Sequence, residues 1–140
     1  MKAVILAGGL GTRLRPVTGE HPKPMAPLLG RPIMEHIVER LRACGYTQLS
    51  AALHYRAGEI MAHFGDGRRF GVSMEYRIET DRGWNLLTVS GGRVAVTAAS
   101  CPDGDCLRCG AQNSGPPIVC LPNRLSVQFS DDGGLDGVVR

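Results

Sequence analysis

The sequence predicts an α/β fold: an incomplete, Rossmann-like parallel sheet followed by a tail rich in β-hairpins. Three observations carry this expectation. First, "KAVILA" (Lys2–Ala7) is a continuous apolar run ending in glycines, the signature of a strand buried on both faces. Second, two segments of helical spacing alternate with two further strand-like runs, a pattern that gives parallel pairs through right-handed crossovers. Third, beyond Thr80 the helical spacing stops, and short apolar runs are punctuated by Gly, Asp and Cys.

Each element has its local reason. "GRPIMEHIVERLRACG" reads as a helix: Pro32 suits its first turn, Ile33, Met34, Ile37, Val38 and Leu41 form one stripe, and Gly45 ends it. Gln48–His54 is the second strand, "AGEIMAHFGDG" a short helix stopped by Gly65, and "GVSMEYRI" a third strand with alternating faces. In the tail, "LLTVSGGRVAVTA" forms a hairpin about Gly91-Gly92, and "LSVQFSDDGGLDGVV" a second about Asp131–Gly134. The stretch between them, "CPDGDCLRCGAQNSGPP", reads as loop.

Composition bounds the function. A chain of 140 residues with 43% hydrophobic and 21% charged residues suits one soluble domain, short for a two-substrate enzyme. Net charge is +3 without a basic stripe, and aromatics are 5%, which argues against nucleic acid as a partner. The opening apolar run is too short for a signal peptide and no stretch is long enough to span a membrane, so the cytoplasm is the expected compartment. Composition also shifts near Thr80. Residues 1–80 hold eleven Lys and Arg against seven Asp and Glu, all four His and one Cys; residues 81–140 hold five against six, no His and four Cys.

The glycines after the first strand carry chemistry. A loop leaving a buried parallel strand presents unpaired backbone N–H groups, and glycines let a polyphosphate approach them closely. "AGGLGTRL" lacks the Lys of a Walker A loop, and Leu14 stands where a dinucleotide fingerprint needs its third glycine. Arg13 instead offers a planar charged fork for phosphate oxygens, and Lys23, stiffened by Pro22 and Pro24, a point charge. Together they can hold a nucleoside triphosphate and a second phosphate in one crevice.

On these residues "MKAVILAGGLGTRLRPVTGEHPKPMAPLLGRPIMEHIVERLRACG" resembles the start of the sugar-1-phosphate nucleotidylyltransferases. "LHYRAGEIMAHFGDGRRFGVSMEY" continues the likeness toward the mannose-1-phosphate guanylyltransferase-like branch. The resemblance covers residues 1–80 and implies a fold of nucleotide-diphospho-sugar transferase type. It further implies transfer of a nucleotidyl group from a triphosphate, GTP by preference, to a sugar 1-phosphate, mannose 1-phosphate by preference, with release of pyrophosphate. By the same resemblance Leu6, Ala7, Gly8 and Gly9 contact base and sugar, Gly11, Thr12 and Arg13 hold the phosphates, and Lys23 neutralises charge during transfer. Mg²⁺ is the implied cofactor.

The resemblance stops in residues 81–140, expected as a divergent remainder of the same domain. The family's Leu-Gly-Thr-Ala-Gly segment has no counterpart in "TDRGWNLLTVSGG". Its Gly-Asp metal site has only a faint one in "PDGDCLRCGAQ", where Ala111 follows Gly110, so no protein metal ligand is assigned. Substitution for it by Asp103 or Asp105 from the nearby loop is the alternative, and the simpler reading of both is as solvated turn carboxylates. A rival of another class is therefore a non-catalytic nucleotide-binding or subunit-binding protein. Association with itself or with a complete homologue stays open.

The cysteines leave alternatives. Cys101-x₄-Cys106-x₂-Cys109 resembles a plant-type iron–sulfur spacing with Cys120 as a fourth ligand, and a four-thiolate zinc site is equally compatible. Unrelated cysteines are the simplest reading. Cys44 reads as core, His36 and Arg40 as a solvated face, His63 as packing or capping, and His54 as a residue at the ligand-facing end of the sheet.

Overall fold

The computed structural model describes residues 1–8, 16, 19, 21–54, 56–131 and 133–139, the side chain of Val139 excepted. The elements follow in chain order. β1 is Lys2–Ala7, β2 Pro27–Leu28, β3 Arg31–Pro32, α1 Ile33–Ala43, β4 Gln48–Leu53, α2 Ala57–Phe64 and β5 Ser73–Glu79. β6 is Trp84–Ser90, β7 Arg93–Ala99, α3 Asp105–Arg108, β8 Ile118–Cys120, β9 Leu125–Phe129 and β10 Leu135–Val139.

β1, β4 and β5 pair in parallel, as the strand–helix alternation predicts, and β6 and β7 extend the sheet antiparallel in the order β1-β4-β5-β6-β7. Three successive parallel strands laid in one direction by right-handed crossovers bring both connecting helices to the same face. Burial agrees. Met34 and Val38 of α1 and Ile60, Met61 and Phe64 of α2 pack in one core with Leu49, Leu53, Tyr76, Ile78 and Leu87. Each such side chain contributes about 1.5–3 kcal/mol by leaving water.

The same winding corrects the reading of the first strand. Among the described residues β1 lies at the edge of the sheet, paired with β4, and its second face is open: Val4 is 62% and Leu6 86% exposed. An apolar run on both faces expects two covering layers, but the strand order does not reverse at β1, and among the described residues no helix covers the other side. That face instead carries polar partners, with Lys2 Nζ 2.9 Å from Glu75 and the Arg77 guanidinium over Trp84. Two smaller expectations also fail. Ile37 is 42% exposed, because α1 meets the core mainly through Met34 and Val38, and Cys44 is exposed where α1 ends.

In the tail the first hairpin turns at Gly91 and Gly92, both with positive φ, the conformation a tight hairpin turn demands. The second joins β9 to β10, and β8 completes a three-stranded antiparallel sheet. The stretch expected as loop holds the single turn α3, and β8 follows it. The two halves are bound tightly. β10 packs on α2 at Gly58, Thr80 Oγ1 donates to the Asn123 carbonyl at 2.7 Å, and one hydrophobic core runs through both.

Candidate functional site

The carboxyl ends of β1, β4 and β5 form a mouth, the position that open α/β sheets use for ligands. One cavity there, of about 410 Å³, is lined by Leu6, Gly8, Ala52, Leu53, His54 and Glu79. A side chain at Gly8 would first meet His54 Cβ at 3.5 Å, an ordinary contact. Space inside the protein therefore does not demand glycine at this position. Its absent side chain leaves the backbone open to the cavity. The His54 ring is held by its Nδ1, which donates to the Glu79 carbonyl at 2.9 Å across the mouth.

A second cavity, also of about 410 Å³, adjoins β1 on its other side. Ile5, Leu6 and Ala7 line it with Lys23, Pro24 and Met34. Lys23 opens a 3₁₀ turn, Lys23–Met25, that starts from extended Pro22 and is held by Met25 N–H to the Pro22 carbonyl at 2.9 Å. The prolines thus place Lys23 beside the end of β1, although it lies well downstream of that strand in sequence. Of the residues read as contacting nucleotide, Leu6, Ala7, Gly8 and Lys23 share this end of the sheet. Gly9, Gly11, Thr12 and Arg13 lie outside the described residues.

His63 and His36 serve structure. His63 Nε2 meets Glu35 at 3.0 Å and its ring packs against Phe64 and Phe70. The His63 hydrogen bond, aided by Arg31, holds the Glu35 carboxyl below its ordinary range despite burial. His36 Nε2 donates to the Leu28 carbonyl at 2.7 Å, which ties α1 to the β2–β3 turn.

The Mg²⁺ implied by resemblance finds no matching donor set among the described residues. Glu79 is ion-paired with Arg77 at 3.0 Å, and Asp105 with Arg108 at 2.8 Å. Mg²⁺ asks for oxygen ligands in octahedral array. Among the described residues the one group of three candidate metal ligands is sulfur: Cys101, Cys106 and Cys120, whose Sγ atoms lie within 4.8 Å of one another.

That sulfur cluster was legible only as spacing, and the structure gathers three of the four cysteines, leaving Cys109 exposed outside it. Burial pushes the Cys106 thiol up to about 12, with the neighbouring Cys101 and Cys120 sulfurs adding to the effect. Burial also opposes ionisation of Cys120. There the Asn85 side chain and the Asn123 backbone hydrogen-bond the sulfur and bring its pKa below the ordinary thiol value. Asn85 and Asn123 are the buried polar residues that sequence reading missed, since no spacing marks them. Asn123 Nδ2 donates to Asn85 Oδ1 and to the Trp84 carbonyl, each at 3.0 Å.

The nucleotidyl transferase family matches residues 2–98, and NusG domain II matches residues 71–133. A UTP–glucose-1-phosphate uridylyltransferase of Synechocystis is 49% identical over 79 residues, 56% of this chain and 20% of that protein. A mannose-1-phosphate guanylyltransferase of Mycobacterium tuberculosis is 43% identical over 77 residues, 55% of this chain and 21% of that one. Among solved structures, a glucose-1-phosphate thymidylyltransferase from Bacillus anthracis, in complex with a sucrose, superposes with a TM-score of 0.54. Its identity is 36%, covering 59% of this chain and 34% of that one. The chain spans about a fifth of the length of the curated relatives it matches.

Proposed function

Because the chain belongs to the nucleotidyl transferase family, we propose that its sheet mouth binds a nucleoside triphosphate and transfers the nucleotidyl group to a sugar 1-phosphate. One observation carries the reading: Lys23 lines a cavity with the carboxyl end of β1, on the strand whose other side opens at Gly8. A phosphate oxygen of the sugar phosphate attacks the α-phosphorus in line, the new P–O bond forms, and the bond to pyrophosphate breaks. The protein contributes position and positive charge as the transition state spreads negative charge over the phosphoryl oxygens. Lys23 supplies one cation there, and Arg13, by sequence, the second. No step in this account runs through a protein-bound Mg²⁺.

The finer assignment is guanylyl transfer to mannose 1-phosphate. It rests on the likeness of residues 53–76 to that branch, while the relatives divide among uridylyl, guanylyl and thymidylyl transferases. Purified protein incubated with GTP, UTP or dTTP, each with mannose or glucose 1-phosphate and added Mg²⁺, tests both levels through pyrophosphate release. GTP with mannose 1-phosphate should turn over fastest. A different winning pair would reassign base and sugar, and no release from any pair would remove the transfer reading.

A second reading has its own support. NusG domain II matches residues 71–133, and β6 and β7 occupy the sheet next to β5. On this reading residues 81–140 follow a different family while sharing the sheet and core of a nucleotide-binding half that binds triphosphate without turnover. Calorimetric triphosphate binding in the absence of any pyrophosphate release is its expected result.

A further inference from the structure

We propose that Cys101, Cys106 and Cys120 form a three-thiolate site for a soft d¹⁰ cation, with zinc(II) as its simplest occupant. The geometry comes from three separate elements. Cys101 follows the end of β7, Cys106 sits in the single turn α3, and Cys120 is the last residue of β8. Gly104, at a φ of 67°, reverses the chain between the first two and brings their Sγ atoms to 3.7 Å. Zinc holds thiolate sulfur at about 2.3 Å, so two sulfurs of a tetrahedral site stand about 3.8 Å apart. All three sulfurs lie within 4.8 Å of one another, so ligation asks for a contraction of less than about 1 Å. A disulfide would instead need about 2 Å between two of them and would leave the third without a role.

The surroundings suit a metal better than three inert thiols. Asn85 Nδ2 donates toward Cys106 Sγ at 3.5 Å, and Asn123 fixes Asn85 from behind. Amide donors around sulfur are the outer-layer contacts that orient thiolates and carry part of their charge. A cavity of about 200 Å³ reaches the cluster, lined by Asp103, Asp105 and Leu121 beside the three cysteines. It gives the ion a way in and leaves the fourth coordination position on the open side. Thiolates select against Mg²⁺ and Ca²⁺, so this centre is distinct from the phosphate chemistry at the sheet mouth. On binding, each thiol that ligates gives up its proton to solvent as its S–Zn bond forms.

The test uses the full chain, reduced and metal-free, with the exposed cysteines removed as Cys44→Ser and Cys109→Ser. Zinc titrated against a chromophoric chelator should bind at one equivalent. Cobalt(II) should give the intense thiolate charge-transfer absorption and the visible bands of tetrahedral sulfur ligation. Cys120→Ser in this background should abolish that absorption, and Asn85→Ala should weaken zinc about 10- to 100-fold. Because a buried Cys→Ser change can disturb folding, the unaltered chain supplies a second readout. Zinc should slow alkylation of half-buried Cys101, followed by mass spectrometry, while Cys44 and Cys109 react at unchanged rates. Absence of zinc uptake by the Cys44→Ser, Cys109→Ser protein would overturn the site. So would an unchanged cobalt spectrum in Cys120→Ser, or equal Cys101 alkylation with and without zinc.

Discussion

Gly58→Ala sets two known effects against each other at the joint between α2 and β10. In an ordinary helix interior, alanine is better than glycine by about 0.5–1 kcal/mol. At position 58 the added Cβ would stand 2.8 Å from the Val138 backbone nitrogen and 3.2 Å from the Gly137 Cα. Both are backbone atoms of β10, so no rotamer change relieves the contact and the strand itself must move. Overpacking of this kind costs about 1–3 kcal/mol. The clash should win, leaving the variant less stable by about 1 kcal/mol or more and lowering Tm by roughly 4 °C for each kcal/mol lost. Urea unfolding followed by circular dichroism gives the free energy, with exposed Ala62→Gly in the same helix as the calibration of propensity alone, at about 1 kcal/mol lost. If Gly58→Ala raises stability by the propensity gain, β10 does not pack on α2 and the joint described above is wrong.

Three further outcomes are expected. Lys23→Ala and Arg13→Ala should each weaken triphosphate binding about tenfold or more by calorimetry, the worth of a charge-assisted contact, while thermal melts of the same samples barely move. Tyr76→Phe should cost about 1–2 kcal/mol, because the buried hydroxyl donates at 2.5 Å to the Gly65 carbonyl at the end of α2 and leaves that acceptor unpaired when removed. Glu35 has a folded pKa below its unfolded value, held there first by the His63 hydrogen bond. Its stabilisation is therefore present above the unfolded carboxylate pKa and lost as pH falls through the folded one. Glu35→Gln should flatten that acid limb in pH-dependent melts and cost about 1 kcal/mol at neutral pH.

The parallel part of the fold was legible because its signals are local. The apolar run of β1, the capping glycines at 45 and 65 and the alternation in β5 each specify an element within a few residues. Placing β1 at the edge was not legible, since a strand's number of neighbours is decided by the order of the whole sheet. Ile37 misled for a related reason: it sits on the helical stripe, but α1 meets the sheet over a narrower front than the stripe suggests. In the tail, Gly91-Gly92 and Asp131–Gly134 announced two hairpins correctly. α3 and β8, at four and three residues, are too short to impose a period on a stretch full of Gly, Pro and Cys. The short turn that carries Lys23 has its local signal in the flanking prolines. The convergence of Cys101, Cys106 and Cys120 depends on Gly104 and on the return of β8, which spacing cannot encode.

The position of β5 has a thermodynamic consequence. It pairs in parallel with β4 on one side and antiparallel with β6 on the other, so the boundary between the parallel and antiparallel parts falls inside a single sheet, within residues 71–98 that both families match. Hydrogen bonds and apolar contacts cross that boundary in both directions, and neither half can open without stripping an edge from the other. Amide exchange in β4 and in β7 should therefore share one opening free energy, the mark of a single cooperative unit. Removal of residues 81–140 would bare the edge of β5 and take β10 away from α2 at once. Whatever their separate histories, the two stretches melt together.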